Sequence, residues 1–170
     1  MYADRKKQIM HARRGVVNAN RPADQRQRTV MRMALSSALG ETGDFDGCIA
    51  QCRTVLAGAP QHIQARLNLG FALLESRNPG GDDAEACVQL MMALDLPADD
   101  ARGVNSALKE MALDDLLFAL GRRMQRCHED GDAEGARSLE KQLARLIERH
   151  PEATRRCAAR GQLRAMGLDV

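Results

Sequence analysis

Cysteine thiols are the most reactive side chains in this sequence, and two of the five, Cys48 and Cys52, lie four residues apart. On a helix this spacing puts both thiols on one face, where they could share a soft metal ion. A four-thiolate site needs a second close pair, but Cys87, Cys127 and Cys157 are far apart in the sequence. We therefore expect no metal site and reduced, buried thiols that pack as small apolar groups in a cytoplasmic protein.

Histidines and carboxylates are the side chains that could support acid–base or metal-dependent catalysis. The histidines are dispersed and lack the Glu or Asp spacing of metalloproteases, and the sequence contains no phosphate-binding loop or nucleophile elbow. Neighbouring carboxylates fit the first turns of helices, where the helix dipole favours negative charge; these pairs are Asp82–Asp83, Asp99–Asp100 and Asp114–Asp115. We expect no catalytic residues, no cofactor and no enzymatic activity.

Charge is distributed unevenly along the chain. Residues 1–28 contain eight Lys or Arg and two acidic residues, residues 29–136 contain nine basic and seventeen acidic, and residues 137–170 contain eight basic and four acidic. Nucleic acid could contact these basic ends, including a possible stripe of Arg145, Arg149, Arg156, Arg160 and Arg164. Since aromatic side chains for base stacking are scarce, a solvated surface is the simpler interpretation.

The composition favours helices. Hydrophobic residues make up 44% of the chain but aromatic residues 2%, so Ala, Leu, Val and Met must form the core. Apolar spacing predicts successive helices over about 24–41, 45–58, 60–75, 83–95, 99–129, 133–150 and from 151 onward, with 99–129 either one helix or two broken near Leu113-Asp114. No secretory signal or membrane-length apolar run is evident, so we expect no membrane insertion.

A repeated turn motif organises these helices. The motif consists of Gly-Asp, three further residues and then a small residue, and it occurs at 43–48, 81–86 and 131–136. Glycine suits the positive φ of a tight turn, aspartate can cap the following helix, and a small side chain lets two helices cross closely. Each unit ends near a proline, at Pro60, Pro97 and Pro151.

This pattern resembles the tetratricopeptide repeat (TPR) family, whose second helix commonly opens with Gly-Asp-aromatic-x-x-Ala. Phe45 and Cys48 occupy the aromatic and alanine slots, Leu69-Gly70 matches the family's Leu-Gly pair, and Ile63 follows Thr29 by the family's 34-residue period. The resemblance implies an all-α fold of antiparallel helix pairs stacked as a short right-handed superhelix with a C-terminal capping helix. The turns lie 38 and 50 residues apart, so the third unit matches least well.

The charge distribution and the resemblance together predict a domain organisation. We expect residues 1–23 to be a basic N-terminal segment, flexible or a lone helix, and residues 24–170 to form one TPR-like domain. Its units are 29–60, 61–97 and 99–151, followed by a capping helix at 152–166.

The first helices of the units then line a concave, apolar groove that holds a peptide or helix of another protein. The groove positions implied by the resemblance are Val30, Met33, Ser37, Gln64, Leu67, Phe71 and Leu74, with Phe118 a further candidate. The expected function is that of a protein-binding adaptor or chaperone, similar in layout to the bacterial cytoplasmic chaperones of type III secretion translocators. The alternative is nucleic-acid or other polyanion binding through the basic ends, and self-association is also open.

Overall fold

The fold is all-helical, as predicted. The computed structural model describes residues 6–7, 9–14, 25–76, 82–97, 104–151, 154, 161 and 164. The main elements are α1 (Gln25–Glu41), α2 (Phe45–Gly58), α3 (Ile63–Glu75), α4 (Asp82–Asp95), α5 (Val104–Glu129) and α6 (Ala133–Arg149). Residues 104–129 form one continuous helix, which decides between the two possibilities left open by the sequence.

The Gly-Asp turns form as the sequence predicts at the first and third positions. Gly43 and Gly131 have positive φ values of 78° and 73°, where an L side chain would be strained. Asp44 and Asp132 cap α2 and α6 by accepting hydrogen bonds from the Gly47 and Gly135 amides at 2.9 and 2.8 Å. The second glycine of the motif, residue 81, lies outside the described residues.

Two local predictions were wrong. Pro60 does not lie in the first turn of α3; it lies in the preceding turn, and His62 caps the helix through Nδ1, which accepts from the Ala65 amide at 3.3 Å. The Asp114–Asp115 pair is not at a helix start but near the middle of α5. The helix dipole therefore does not account for these two carboxylates, because its effect is confined to the terminal turns.

Each helix packs against the next, and α3 also contacts both α1 and α5. Aliphatic side chains fill the space between them, with Leu69, Leu90, Leu116 and Leu117 fully buried. Helices α3 and α4 approach so closely at Gly70 that a Cβ atom there would lie 2.6 Å from Leu90 Cγ. This contact explains why glycine, a poor helix former, stands in the middle of α3.

A buried carboxylate ties α4 to α5. The Asp83 side chain is 6% exposed and forms ion pairs with Arg126 and, at 3.6 Å, with Arg122. Arg122 also donates to the Leu74 carbonyl at 3.0 Å, so the same arginine links α5 to the end of α3.

The basic N-terminal segment is helical where it is described, at residues 6–7 and 9–14. Ala12 is buried in the main core and Ile9 packs against that core, whereas Lys6, Lys7, Arg13 and Arg14 are exposed. The predicted capping helix at 152–166 lies almost entirely outside the described residues. Across the described ranges, no helix combines the length and apolarity needed to cross a bilayer.

Candidate functional site

A cleft of about 440 Å³ opens between α1, α3 and α5. Helix α3 lies at its centre because it contacts both of the other two helices. The lining combines apolar, hydroxyl, amide and acidic side chains; its residues are Ser36, Ser37, Gly40, Glu41, Cys48, Leu67, Asn68, Phe71, Met111, Asp114 and Asp115. Three of the residues predicted from the sequence, Ser37, Leu67 and Phe71, meet there.

The apolar part of the cleft is accessible to solvent. Phe71 is 39% exposed and Met111 56% exposed, whereas Leu67, which also lines the cleft, is buried. The Phe71 ring stacks edge-on against Phe45, with 6.2 Å between ring centroids, and this contact restrains the ring. A restrained aromatic ring beside an exposed methionine gives the cleft one fixed and one adaptable apolar surface.

Side-chain hydrogen bonds connect the two walls of the cleft that α1 and α3 form. The Asn68 side-chain amide donates to Ser36 Oγ at 3.1 Å and to Ser37 Oγ at 3.2 Å. Ser36 Oγ in turn donates to the Met33 carbonyl at 2.9 Å. Because this network links α3 to α1, the spacing of these two helices is set by specific polar contacts as well as by apolar packing.

The rim of the cleft is acidic. Among the lining residues that the structure describes, the charged side chains are Glu41, Asp114 and Asp115. Burial, together with the neighbouring negative charges of Asp114 and Glu75, raises the pKa of Asp115 to about 6. The cleft therefore favours a positive charge near Asp115, since a cation would offset both the burial and the repulsion.

The other predicted groove residues lie elsewhere. Val30 is 58% exposed on α1 but is not part of the cleft lining. Met33 is buried against Val55 and Ala65, and Leu74 is buried in the main core. Gln64 lines a separate pocket with residues including Pro97 and Leu108.

Phe118, the further groove candidate, is half-buried beneath the Arg122 guanidinium, which lies 5.7 Å from the ring centroid.

Sequence reasoning missed the residues that α5 contributes to the cleft, namely Met111, Asp114 and Asp115. Their signal in the sequence is the four-residue spacing of Met111 and Asp115, which puts an apolar and an acidic side chain on one helix face.

A smaller pocket of about 200 Å³ lies between α4, α5 and α6. Its lining includes Leu94, Leu116, Arg145 and His150. Burial lowers the pKa of His150, and the nearby positive charges of Arg149 and Lys109 lower it further. This histidine is therefore neutral at physiological pH.

The four described cysteines are free, and Cys48 and Cys52 are buried side by side on α2. The Cys48 thiol donates a long hydrogen bond of 3.8 Å to the Asn68 carbonyl. The neighbouring Cys52 thiol, together with burial, raises the pKa of Cys48, so this thiol stays protonated and unreactive at neutral pH. In the described part of the chain, no three His, Cys, Asp or Glu side chains are grouped closely enough to hold a metal ion.

The proposed arginine stripe can be followed for a short distance. Arg145 and Arg149 are both exposed on α6, and Arg149 is paired with Asp95 at 2.8 Å. Arg156 and Arg160 lie outside the described residues. The part of the stripe that is described thus carries one arginine whose charge is already offset by a carboxylate.

Comparisons with protein-family models, with curated proteins and with solved structures give no match for this chain.

Proposed function

We propose that this protein is a TPR-like protein-binding module that holds a segment of a partner protein in the cleft between α1, α3 and α5. The observation that carries this proposal is the exposure of Phe71 and Met111 within a cleft of about 440 Å³. Apolar side chains are normally buried against the rest of the fold. Their exposure inside a concave surface is typical of a site that is completed by a partner.

Specific contacts hold α3, the central wall of the cleft, against its neighbouring helices. Helix α3 is fixed to α1 by the Asn68 hydrogen bonds and to α4 by the close contact of Gly70 with Leu90. A preformed surface loses little conformational freedom on binding, so more of the contact energy appears as affinity. The Gly-Asp turns and the packing of successive helices support the TPR-like interpretation, and a chaperone of the secretion type is its more specific form.

We place this function in the cytoplasm. The support is that the four cysteines described by the structure are free thiols; thiols persist in that compartment.

The test is a pull-down from an extract of the source cells with the full chain and two single variants, read by mass spectrometry. Met111→Gln removes an exposed apolar group from the cleft without changing charge. Val88→Gln is the matched control, because Val88 is 47% exposed on α4 and does not line the cleft. We expect a partner that is retained by the native chain and by Val88→Gln but lost with Met111→Gln.

Retention of every partner by both variants would refute the proposal. A partner that binds Met111→Gln as well as the native chain, but is lost when residues 1–23 are removed, would instead assign binding to the basic N-terminal segment. Circular dichroism of each variant verifies that a lost interaction does not reflect lost helix content.

A further inference from the structure

The cleft differs from a purely apolar groove in its charge. Its apolar residues, Leu67, Phe71 and Met111, come from α3 and α5, whereas its acidic residues come from α1 and α5. Every charged side chain among the described lining residues is acidic. An occupant must therefore satisfy an apolar surface and a negative rim at the same time.

Asp115 is the acidic residue that lies beside the apolar side chains of the cleft. It follows Met111 by one helical turn on α5, and both side chains line the same cleft as Phe71. Among the described residues, the charged groups that act on its carboxylate are Asp114 and Glu75, which are both acidic. A carboxylate that is partly removed from water and repelled by its neighbours destabilises the fold, and such an arrangement is typical of a functional position.

A bound metal ion does not fit this arrangement. A metal site requires several ligand atoms within about 2.0–2.6 Å of one point, and the described residues contain no such group of carboxylates. The side chain of lysine or arginine fits better, because it brings a single positive charge on a long apolar stem. Arginine is favoured over lysine at a partly desolvated carboxylate since its guanidinium is less strongly hydrated.

Building on the proposed function, we infer that the cleft binds a cationic amphipathic polypeptide segment, with an arginine or lysine against Asp115 and adjacent apolar side chains on Phe71 and Met111. Leu67 forms the floor of the site. The acidic rim selects against segments rich in Asp and Glu, because like charges in a partly desolvated cleft are strongly unfavourable.

The experiment is a selection from a displayed library of random 12-residue peptides on the native full-length chain. Counter-selection on Met111→Gln removes the peptides that bind elsewhere. We expect the remaining peptides to be enriched in Arg or Lys next to Leu, Ile, Met or Phe. A selected peptide is then synthesised with its basic residue intact and with that residue replaced by Gln.

Binding of both peptides is measured by fluorescence anisotropy to the native chain and to Asp115→Asn. We expect the peptide change and Asp115→Asn each to weaken binding about tenfold, and the two together to weaken it little more than either alone. Glu140→Gln, which removes an exposed carboxylate on α6, is the matched control and should leave binding unchanged.

The outcomes separate this inference from the proposed function. Peptides that depend on Met111 but show no excess of Arg or Lys, or that bind Asp115→Asn as tightly as the native chain, overturn the cationic occupant and leave the groove function in place. A selection that yields no peptide dependent on Met111 overturns both.

Discussion

Replacing Asp115 with asparagine should stabilise the folded protein at neutral pH, although the same change should weaken binding in the cleft. The carboxylate is partly buried on α5 and faces the negative charges of Asp114 and Glu75. Asparagine has nearly the same shape and carries no charge, so it removes the repulsion and most of the desolvation penalty. Gain of stability with loss of binding is the expected signature of a residue kept for function.

The magnitude follows from the pKa of Asp115, which burial and the two neighbouring carboxylates raise from 3.8 to about 6. A shift of about 2 pKa units corresponds to about 3 kcal/mol of destabilisation once the group is ionised. Solvent in the open cleft screens part of this penalty. We therefore expect Asp115→Asn to raise the free energy of unfolding by about 1–2 kcal/mol at pH 7.

The pH dependence has a definite sign. Between the pKa of the unfolded chain, near 3.8, and that of the folded chain, near 6, the folded state binds more protons at Asp115. Its contribution to stability therefore falls as the pH rises through this window and stays low above it. The stabilisation by Asp115→Asn should consequently be largest above pH 6 and should shrink toward zero below about pH 4.

Urea unfolding followed by circular dichroism, on the native chain and on Asp115→Asn from pH 4 to 7.5, measures this difference. Glu140→Gln serves as the control, because its side chain is exposed on α6 outside the cleft, and its effect should be within about 0.5 kcal/mol throughout. A difference for Asp115→Asn that does not vary with pH, or a loss of stability at pH 7, would refute the reasoning about this carboxylate.

Two further predictions concern the framework, and urea unfolding at pH 7 measures both. Gly70→Ala should destabilise the fold by about 1–3 kcal/mol, since the new methyl group would overlap Leu90. The control, Gly40→Ala, meets ordinary contacts of 3.8 and 3.9 Å and should stabilise α1 by about 0.5–1 kcal/mol. Equal effects of the two changes would contradict the packing of α3 on α4. Asp83→Ala should cost about 2–3 kcal/mol because it leaves two arginines without their shared buried partner, whereas loss of the exposed Glu85 ion pair should cost less than about 1 kcal/mol. Similar costs for the two carboxylates would show that the Asp83 cluster does not hold α4 to α5.

Local signals were sufficient to predict most of the fold. The positive φ of Gly43 and Gly131 and the caps made by the aspartates that follow them depend on residues adjacent in sequence. The ends of α1, α2 and α4 follow from changes in apolar spacing in the same way. The continuity of α5 could not be predicted, because nothing local to Leu113-Asp114 decides between a break and a helix that tertiary packing holds on both sides.

The site was harder to predict than the fold. A helix turns by about 100° per residue, so a small error in its orientation exchanges a buried position for an exposed one. Met33 illustrates this, because it packs against Val55, whereas Ser37, which is offset from it by only about 40° around α1, lines the cleft. The α5 wall was missed because the third repeat departs from the regular spacing, and the pairing of α5 with α3 is a long-range contact that the sequence does not encode locally.

The most direct test of the central claim is a two-dimensional amide NMR titration of the full-length chain with a cationic peptide from the selection described above. If the cleft is the binding site, the largest shift changes will fall in residues 36–41, 67–71 and 111–115, the three segments that supply all of its lining residues except Cys48. Changes centred on α4 near Val88 or on α6 near Arg145, with the three cleft segments unaffected, would contradict the account.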